Sequence, residues 1–286
     1  MFENLKNKSF NHFKVHTQYS ICEGALKIDQ LSEFCKKKKI KSIGISDTGN
    51  LCGALEFSEQ ISKKGTQPII GTQIKIEDHG VKGNVTLIAK NDVGYKNLIE
   101  LSSKSFIENN ILSEAHCKFS DLLRLNEGVI LMTGTINGLY AKLFKKGKLK
   151  EIENSYKQLL EVYKDNFYIE IQRHNDLNEK IFEKFNLDLS FKLDIPIIAS
   201  HEVFYIDQSM HDAHEALICI GTKTYINDKN RLSYSDNHYI KSDDDMISLF
   251  RDIPEALINN FNLPLRCSFR PTKSSPILPN ISSTED

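Results

Sequence analysis

Short apolar runs with strand character alternate with longer amphipathic stretches along most of this 286-residue chain. We predict strands at residues 13–16, 43–46, 68–76, 84–89, 128–132, 167–172 and 196–199. We predict helices at residues 27–38, 51–63, 148–163 and 177–193, with another beginning near Gly94. Strands that are separated by helices of this length usually pair in parallel through right-handed crossovers. About seven such repeats favour a closed α/β barrel over an open sheet, with residues 84–89 paired to the preceding strand across a turn.

The barrel prediction also places a functional site. Side chains that carry function in α/β barrels gather where the strands end at their carboxyl side. This rule puts residues near His16, Asp47, Gln73, Gly134 and His201 around one mouth. The sequence therefore predicts that the functional site lies at this mouth.

The last part of the chain has a different character. Residues 246–259 have the apolar spacing of a helix, and the text after Arg266 is rich in Pro and Ser without any periodicity. We interpret residues 1–268 as one domain, and residues 269–286 as a linker toward a part of a longer protein that is absent here. The domain then ends in a short helical and extended segment.

Charge and cysteine content narrow the function classes. Lys and Arg number 37 against 38 Asp and Glu, so no overall basic field draws the chain onto nucleic acid. Any DNA contact would be local, or made by another part of a longer protein. The six cysteines have no metal-ligand or disulfide spacing, which is typical of free thiols in a reducing cytosol. Without a signal peptide or a membrane-length apolar run, we expect a cytoplasmic location and no membrane partner.

Three segments carry a family resemblance. They read FNHFKVHTQYSICEGALK from residue 10, IKSIGISDTGNLCGALEF from residue 40, and PIIGTQIKI from residue 68. They resemble the PHP (polymerase and histidinol phosphatase) family, in the form found at the N-terminus of bacterial DNA polymerase III α subunits. The similarity continues in order through IASHEVFYIDQSMHDAHEALICI to LPLRCSF, and so covers nearly the whole chain. It implies a distorted (β/α)7-type barrel.

The resemblance also implies where metal ligands would stand. In metal-binding members these places hold His-x-His, an Asp before Gly, Asp-His-Gly-Asn, Gly-Cys-Glu, a Cys, and an Asp with a His. Here the corresponding residues are Lys14, His16, Glu23, Asp47, Thr48, Gln73, Thr135, Glu202 and Phe204. One further ligand, expected near Phe106, has no clear counterpart.

These replacements argue against a bound ion. Lys14 is a cation at a ligand position, where it repels a metal and can neutralise Glu23 or Glu202. Gln73 and Thr135 remove negative charge or a thiolate, and a phenyl ring such as that of Phe204 has no lone pair. We therefore interpret the nine positions as a vestigial metal-site cleft, with no catalytic residue and no metal. His16 is then a hydrogen-bonded cleft histidine rather than a ligand.

Two other motifs have ordinary structural interpretations. MHDAHEAL at residues 210–217 spaces His211 and His214 three apart, without H-E-x-x-H or a third ligand, so packing and capping are favoured over metal binding. The lysine run at residues 36–39 is typical of a solvated helix end. DNA binding is the less favoured interpretation there, because no aromatic platform accompanies the lysines.

The resemblance implies a function for the longer protein. That protein would be a replicative DNA-directed DNA polymerase, a nucleotidyltransferase that uses Mg²⁺ in DNA replication, with its catalytic core downstream. We expect this chain to be an inert scaffold without a cofactor. Its implied partners are the proofreading exonuclease and other replisome subunits, with DNA contacted mainly by the missing core. The alternatives are a metal-dependent phosphoesterase or 3′–5′ exonuclease with a reduced ligand set, and an autonomous interaction protein.

Overall fold

The computed structural model describes residues 8–109, 114–134 and 136–275. The strands are β1 (Lys14–Val15), β2 (Ser42–Thr48), β3 (Gln67–Asp78), β4 (Val81–Ala89), β5 (Cys117–Lys118), β6 (Val129–Met132), β7 (Phe167–Ile171), β8 (Ile197–Ala199) and β9 (Glu202–Val203). The helices are α1 (Ile28–Lys38), α2 (Ala54–Ser62), α3 (Asp92–Ile107), α4 (Phe119–Arg124), α5 (Leu139–Lys145), α6 (Leu149–Tyr163), α7 (Glu179–Leu193), α8 (His211–Thr222), α9 (Asp243–Leu249) and α10 (Pro254–Asn262). Short 3-10 turns lie at Lys164–Asn166, Gln208–Met210 and Leu263–Arg266.

The strands form a distorted α/β barrel. The larger sheet runs in the order β2-β3-β4-β6-β7-β8, with β5 added beside β3. The smaller sheet pairs β1 with β9 in parallel. The two sheets meet on both sides, because the Gly44 amide donates to the His12 carbonyl at 2.7 Å and β8 runs into β9 after two residues. The predicted fold class is confirmed.

The pairing directions differ in part from the prediction. β2–β3, β6–β7 and β7–β8 are parallel, as helical crossovers require. β4 returns from β3 through a tight turn and is antiparallel to it, as the predicted pairing across that turn requires. β4 is therefore antiparallel to β6 as well, although α3 lies between them in sequence. The rule that helix-separated strands pair in parallel was wrong at this one place.

The predicted C-terminal helix is two helices. α9 ends at Leu249 and α10 begins at Pro254, which occupies the first turn of the second helix. Proline tolerates that position because the amide it lacks has no partner within the helix there. The apolar spacing of residues 246–259 is continuous in the sequence, so it predicted one helix where Pro254 begins a second one.

Side chains of alternate strand residues fill the barrel. Along β7, Tyr168 lies in an apolar interior cluster, and Glu170 is the next residue on the same face because strand side chains alternate. The interior cluster has members on β3, β4, β6, β7 and β8, and it includes one residue of the C-terminal 3-10 turn and the residue that follows that turn. Its members are Phe13, Ile69, Ile88, Ile130, Met132, Tyr168, Ile198, Leu263 and Cys267. The other end of the interior is polar. The site described below lies there.

One helix start depends on two glycines. The Asn91 side chain accepts a hydrogen bond from the Gly94 amide at 2.9 Å and so caps α3. A Cβ atom on Gly94 would lie 1.8 Å from the Gly128 carbonyl oxygen. Gly128 itself has a φ of +70°, in the region that glycine adopts without strain. The close approach fixes α3 against the start of β6.

The segment after Arg266 lies along the base of the barrel. The Gln67 side-chain amide donates to the Pro264 and Cys267 carbonyls at 3.0 and 2.9 Å. The Ser58 hydroxyl on α2 donates to the Pro271 carbonyl at 2.6 Å. The domain boundary predicted after residue 268 stays a prediction. In the three described ranges, we find no helix with the length and apolar character that crossing a membrane requires.

Candidate functional site

Lys14 is the centre of the polar end of the barrel. It lies on β1 opposite Glu202 of β9, and its side chain is completely buried. Its Nζ atom lies 3.2 Å from Glu170 Oε1 and 3.5 Å from Glu202 Oε1. A buried ammonium group is tolerated only when opposite charges compensate its lost hydration. Here two buried carboxylates, on β7 and β9, supply that compensation.

His16 and Gln73 complete the surroundings of Glu202. His16 Nε2 lies 3.1 Å from Glu202 Oε1, and the Gln73 amide donates to the same oxygen at 2.5 Å. Burial opposes ionisation of Glu202, but Lys14 and His16 outweigh it and hold the pKa of this carboxyl below its usual range. Glu202 is therefore ionised at neutral pH and is occupied by protein groups.

Asp47 serves the loop after β1 instead of an ion. Its two oxygens accept from the Thr17 amide at 2.6 Å, the Thr17 hydroxyl at 2.8 Å and the Ser20 hydroxyl at 2.7 Å. Only 1% of Asp47 is exposed. Three donors on one carboxylate satisfy it internally, so this residue is engaged in holding the mouth loop.

The remaining cleft residues contact one another. The Thr48 hydroxyl donates to Glu23 Oε2 at 2.6 Å and lies 3.4 Å from His16 Nδ1. The Phe204 ring packs against the His16 ring with centroids 4.7 Å apart. Lys14 was expected to neutralise either Glu23 or Glu202. It pairs with Glu202, and Glu23 instead accepts from Thr48. Thr135, the ninth predicted position, lies outside the described residues.

The structure therefore brings eight predicted residues into one region, and their role as a former metal site stays a prediction. His16, Glu23, Thr48, Gln73, Glu202 and Phe204 line a common cavity of about 50 Å³. Lys14 pairs with Glu202 of this lining, and Asp47 accepts from Ser20, whose hydroxyl lies 3.2 Å from His16 Nδ1. The Gly134 amide also reaches the polar end, since it donates to Glu170 Oε2 at 2.9 Å.

Glu170 is a site residue that the sequence analysis missed. It is 2% exposed and accepts hydrogen bonds from Ser200, Gln172 and the Gly134 amide as well as pairing with Lys14. A signal was available in the sequence, because Glu170 is the one charged residue in the run FYIEI at residues 167–171, and the structure buries all five positions. Buried carboxylates of this kind need a cation or several donors, and Glu170 has both.

A column of histidine rings lies beside the cleft. His174 stacks on His238 with centroids 4.0 Å apart and on His201 with centroids 4.5 Å apart, and His201 meets His12 edge to face. Burial lowers the pKa of His12 to about 4 and the pKa values of His174 and His201 well below the ordinary value. These three rings are therefore neutral at physiological pH. They act as aromatic packing between the barrel and residues 238–241.

His174, Asp176 and His238 form a possible metal site that the sequence did not suggest. Their ligand atoms lie within 4.8 Å of one another. The expectation of no cofactor is accordingly not supported by the structure. The present geometry nevertheless fits an ion poorly, because the His174 and His238 rings are parallel to within 1°. Lone pairs lie in the ring planes, so two stacked rings cannot point them at one ion. His174 Nε2 is also engaged, since it accepts from the Glu202 amide at 3.1 Å.

The two histidines of the MHDAHEAL motif lie on α8. His214 is buried, packs on Phe204 with centroids 5.1 Å apart, and lies 2.9 Å from the Glu23 carbonyl through Nε2. Burial lowers its pKa to about 4. Glu215 of the same helix accepts from Arg231, Ser233 and the Tyr234 amide. This helix therefore packs on the cleft and anchors the following loop.

Comparison with known proteins identifies the family of this chain. The PHP domain model matches residues 12–174. DNA polymerase III subunit alpha of Rickettsia bellii is 37% identical over 280 residues, covering 96% of this chain and 24% of that protein. The subunit alpha of Caulobacter vibrioides is 33% identical over 285 residues, with 96% and 25% covered. That of Borreliella burgdorferi is 34% identical over 284 residues, with 95% and 25% covered.

Solved structures give more distant matches. A two-domain protein from Bacteroides vulgatus containing a predicted PHP-like metal-dependent phosphoesterase matches with a TM-score of 0.42 and 10% identity. That match covers 84% of this chain and 62% of that chain. The chain spans about a quarter of the length of the curated relatives above. The family match over residues 12–174 and the identity over nearly the whole chain show that this chain belongs to the PHP domain family, in the form that bacterial DNA polymerase III α subunits carry.

Proposed function

We propose that this chain is a catalytically inert PHP module of a replicative DNA polymerase III α-type protein. The longer protein would extend DNA by nucleotidyl transfer with Mg²⁺, through a core that lies outside this chain. The module would support that core and dock the proofreading exonuclease subunit, among other replisome subunits in the cytoplasm. The relatives' printed names and the shared family support the polymerase assignment.

The observation that carries inertness is the position of Lys14. Its ammonium group lies between Glu170 and Glu202, at 3.2 and 3.5 Å, where a divalent ion would otherwise use these carboxylates. A hydrolase ion needs open coordination positions and several free anionic or imidazole ligands. Asp47 is satisfied by Thr17 and Ser20, and Phe204 offers no donor. The cleft thus holds its own cation.

Metal analysis combined with activity assays tests this proposal. We expect the purified chain, after dialysis, to carry less than stoichiometric Zn²⁺ or Mn²⁺. We also expect no release of nucleotides from DNA 3′ ends and no hydrolysis of phosphate monoesters with added Mn²⁺. Stoichiometric metal together with turnover that a His16→Ala variant abolishes would overturn the proposal.

The alternative is a metal-dependent PHP phosphoesterase or 3′–5′ exonuclease with a reduced ligand set. The cavity lined by His16, Glu23 and Glu202 is the observation that favours it, because three groups with lone pairs face one space. In that case Lys14→His should raise metal affinity and activity, since it removes a repelling cation and adds a ligand. If the module is inert, the same variant gains no turnover and loses stability.

Docking of the exonuclease needs a separate test. We expect the proofreading subunit of the same replisome to bind this chain in a calorimetric titration at micromolar or lower concentration. A titration with no heat change, in which the longer polymerase chain still binds the subunit, would place the docking surface outside this module.

A further inference from the structure

Six lysines from neighbouring elements lie together on the surface beside the cleft. We name them the lysine surface. They are Lys75 of β3, Lys82 of β4, Lys142 and Lys145 of α5, and Lys146 and Lys148, which follow α5. Residues 142–150 hold five lysines and no acidic residue. A charge run is often only a solvated face, so the contacts of the ammonium groups decide whether this one is more.

Hydrogen bonds join α5 and the residues after it to the β3–β4 hairpin. Lys142 Nζ donates to the Lys82 carbonyl at 3.1 Å. Lys148 Nζ donates to the His79 carbonyl, in the turn of the hairpin, at 2.7 Å. These two contacts bring the lysines of α5 and of the following segment against the hairpin, so the lysines of the two regions form one surface.

Lys75 joins this surface across the hairpin. It lies directly opposite Asn84 of β4, and Lys82 is two residues away from Asn84 on the same strand. Opposite residues of an antiparallel pair, and alternate residues of one strand, share a face of the sheet. Lys75 also acts on Lys142, because burial lowers the pKa of Lys142 and the charge of Lys75 is the next largest cause.

Most of these positive charges have no counter-charge. Lys75 pairs with Glu114. Within the part of the chain that the structure describes, none of the other five lysines forms an ion pair with a carboxylate. Lys145 Nζ donates to the Ile136 carbonyl at 3.1 Å, as Lys142 and Lys148 donate to other carbonyls. Neutral carbonyls hold the ammonium groups in place and leave their charge available to a ligand.

The lysine surface and the acidic groups of the cleft lie on different elements. The carboxylates of the cleft belong to β2, β7, β9 and the loop after β1, whereas the lysines belong to β3, β4, α5 and the residues after α5. Gln73 and Asn84 line the cavity, and Lys75 shares a face of the sheet with both. The lysine surface therefore borders the cleft, and its charge has the opposite sign.

The composition of the lysine surface fits the phosphate backbone of a nucleic-acid duplex. Protein interfaces have apolar centres, but the exposed run at residues 145–147 is Lys-Lys-Gly. Single strands bind on aromatic platforms, but Tyr140 of α5 is buried and the Phe144 ring packs on the Phe185 ring with centroids 5.0 Å apart. Lysine ammonium groups contact phosphates as point charges and need neither feature.

We propose that the lysine surface binds the phosphate backbone of double-stranded DNA without reading its sequence. The choice of DNA rests on the proposed function, because the relatives described above are DNA polymerase subunits. The net charge of the chain is −1, so the contact is a local one. Each phosphate that a lysine neutralises contributes about −0.9 to the slope of log K against log salt concentration.

Fluorescence anisotropy with a labelled duplex of about 20 base pairs tests the inference on this chain, between about 50 and 200 mM salt. EDTA in the buffer removes contacts that a metal would bridge. The triple variant Lys82→Gln, Lys145→Gln, Lys146→Gln should bind at least about tenfold more weakly at about 100 mM salt, with a slope shallower by about 2–3, because three phosphate contacts are lost. The matched control changes the three exposed lysines at residues 36–38, in the last turn of α1, to glutamine. It removes the same charge and should bind like the unchanged chain.

A second variant separates charge from folding. Arginine at residues 82, 145 and 146 keeps the charge and should keep the affinity. Loss of binding in both the arginine and the glutamine variants would overturn the inference. So would equal losses in the two glutamine variants, or no measurable binding by the unchanged chain. Equal competition by polyglutamate of the same total charge would also overturn it, since the surface would then suit acidic protein segments.

Failure of the inference is distinguishable from failure of the proposed function. The anisotropy measurement does not depend on bound metal or on turnover. Weak or misplaced DNA binding would leave the inert module standing. Stoichiometric metal with turnover would overturn the inert module and leave the binding result of the lysine variants unchanged.

Discussion

Replacement of Lys14 by methionine removes the cation from the polar end of the barrel while keeping a side chain of similar length. Lys14 is completely buried, and its partners Glu170 and Glu202 are 2% and 6% exposed. The variant leaves two carboxylates close together without a counter-charge. We expect a large loss of stability and a rise in the pKa of Glu202, because the cation that lowers it is gone.

The magnitude follows from the burial. Removing one partner of a buried ion pair costs about 3–5 kcal/mol, since the other charge stays desolvated. For a domain of this size each kcal/mol lowers the melting temperature by about 2–4 °C. The expected drop is therefore on the order of 10 °C at pH 7.5. Protonated carboxyls need no counter-ion, so the loss should shrink as the pH falls toward 5.

Urea unfolding followed by circular dichroism measures this loss. The control is Lys157→Met, because Lys157 is 55% exposed and, among the described residues, its ion pair is with Glu153 on the surface of α6. That change should cost no more than about 1 kcal/mol. Glu202→Gln added to Lys14→Met should recover part of the stability, since it removes one of the unpaired charges.

Two results would refute the reasoning. An unchanged unfolding midpoint in Lys14→Met would mean that Glu170 and Glu202 do not depend on the cation. A loss that stays the same between pH 7.5 and pH 5, and that Glu202→Gln does not reduce, would assign the effect to packing rather than charge.

Three further predictions concern other parts of the molecule. Burial holds the pKa of His12 at about 4 against the ordinary 6.5. This difference contributes about 3 kcal/mol to the free energy of unfolding, which is present above pH 6.5 and is lost as the pH falls toward 4. Urea unfolding midpoints, measured as a function of pH, should therefore fall less steeply in acid for His12→Gln than for the unchanged chain. Added Zn²⁺ should leave the melting temperature unchanged because the His174 and His238 rings are stacked, and a rise that His174→Ala abolishes would contradict the geometric argument. Gly94→Ala should cost about 1–3 kcal/mol or more in urea unfolding, because its Cβ meets the Gly128 carbonyl. Val93→Ala is the control at a half-exposed neighbour, and equal losses would argue against the steric reason.

Much of the fold follows from local patterns. Periodicity predicted α1, α6 and α7 to within a few residues, because their buried faces repeat at helical spacing. It did not predict that β4 would run antiparallel to β6, since the tight turn after β3 reverses the direction of the next crossover. Nor did it divide residues 246–259 at Pro254, where local proline chemistry outweighs a continuous apolar pattern.

Site residues that belong to a recognisable motif could be predicted from the sequence. Residues that join the site only through the closure of the barrel could not. His16, Gln73 and Glu202 converge although they are far apart in sequence, as their positions at strand ends indicated. Glu170 escaped notice because no motif marks it, and its meaning depends on Lys14 across the barrel. The stacking of His174 on His238 joins two loops whose proximity no local pattern reports.

The pairing of Lys14 also determines the electric field that an approaching molecule meets. Glu23, Asp47, Glu170 and Glu202 bring four carboxylates to this end of the barrel, and Lys14 compensates part of their charge. Bound divalent ions would make the electrostatic potential at such a mouth positive, and the mouth would then attract phosphate groups. With a single buried ammonium group, the mouth instead repels phosphate-bearing molecules, and low ionic strength strengthens that repulsion. A phosphate-bearing molecule would therefore meet a repulsive electrostatic potential at this cleft.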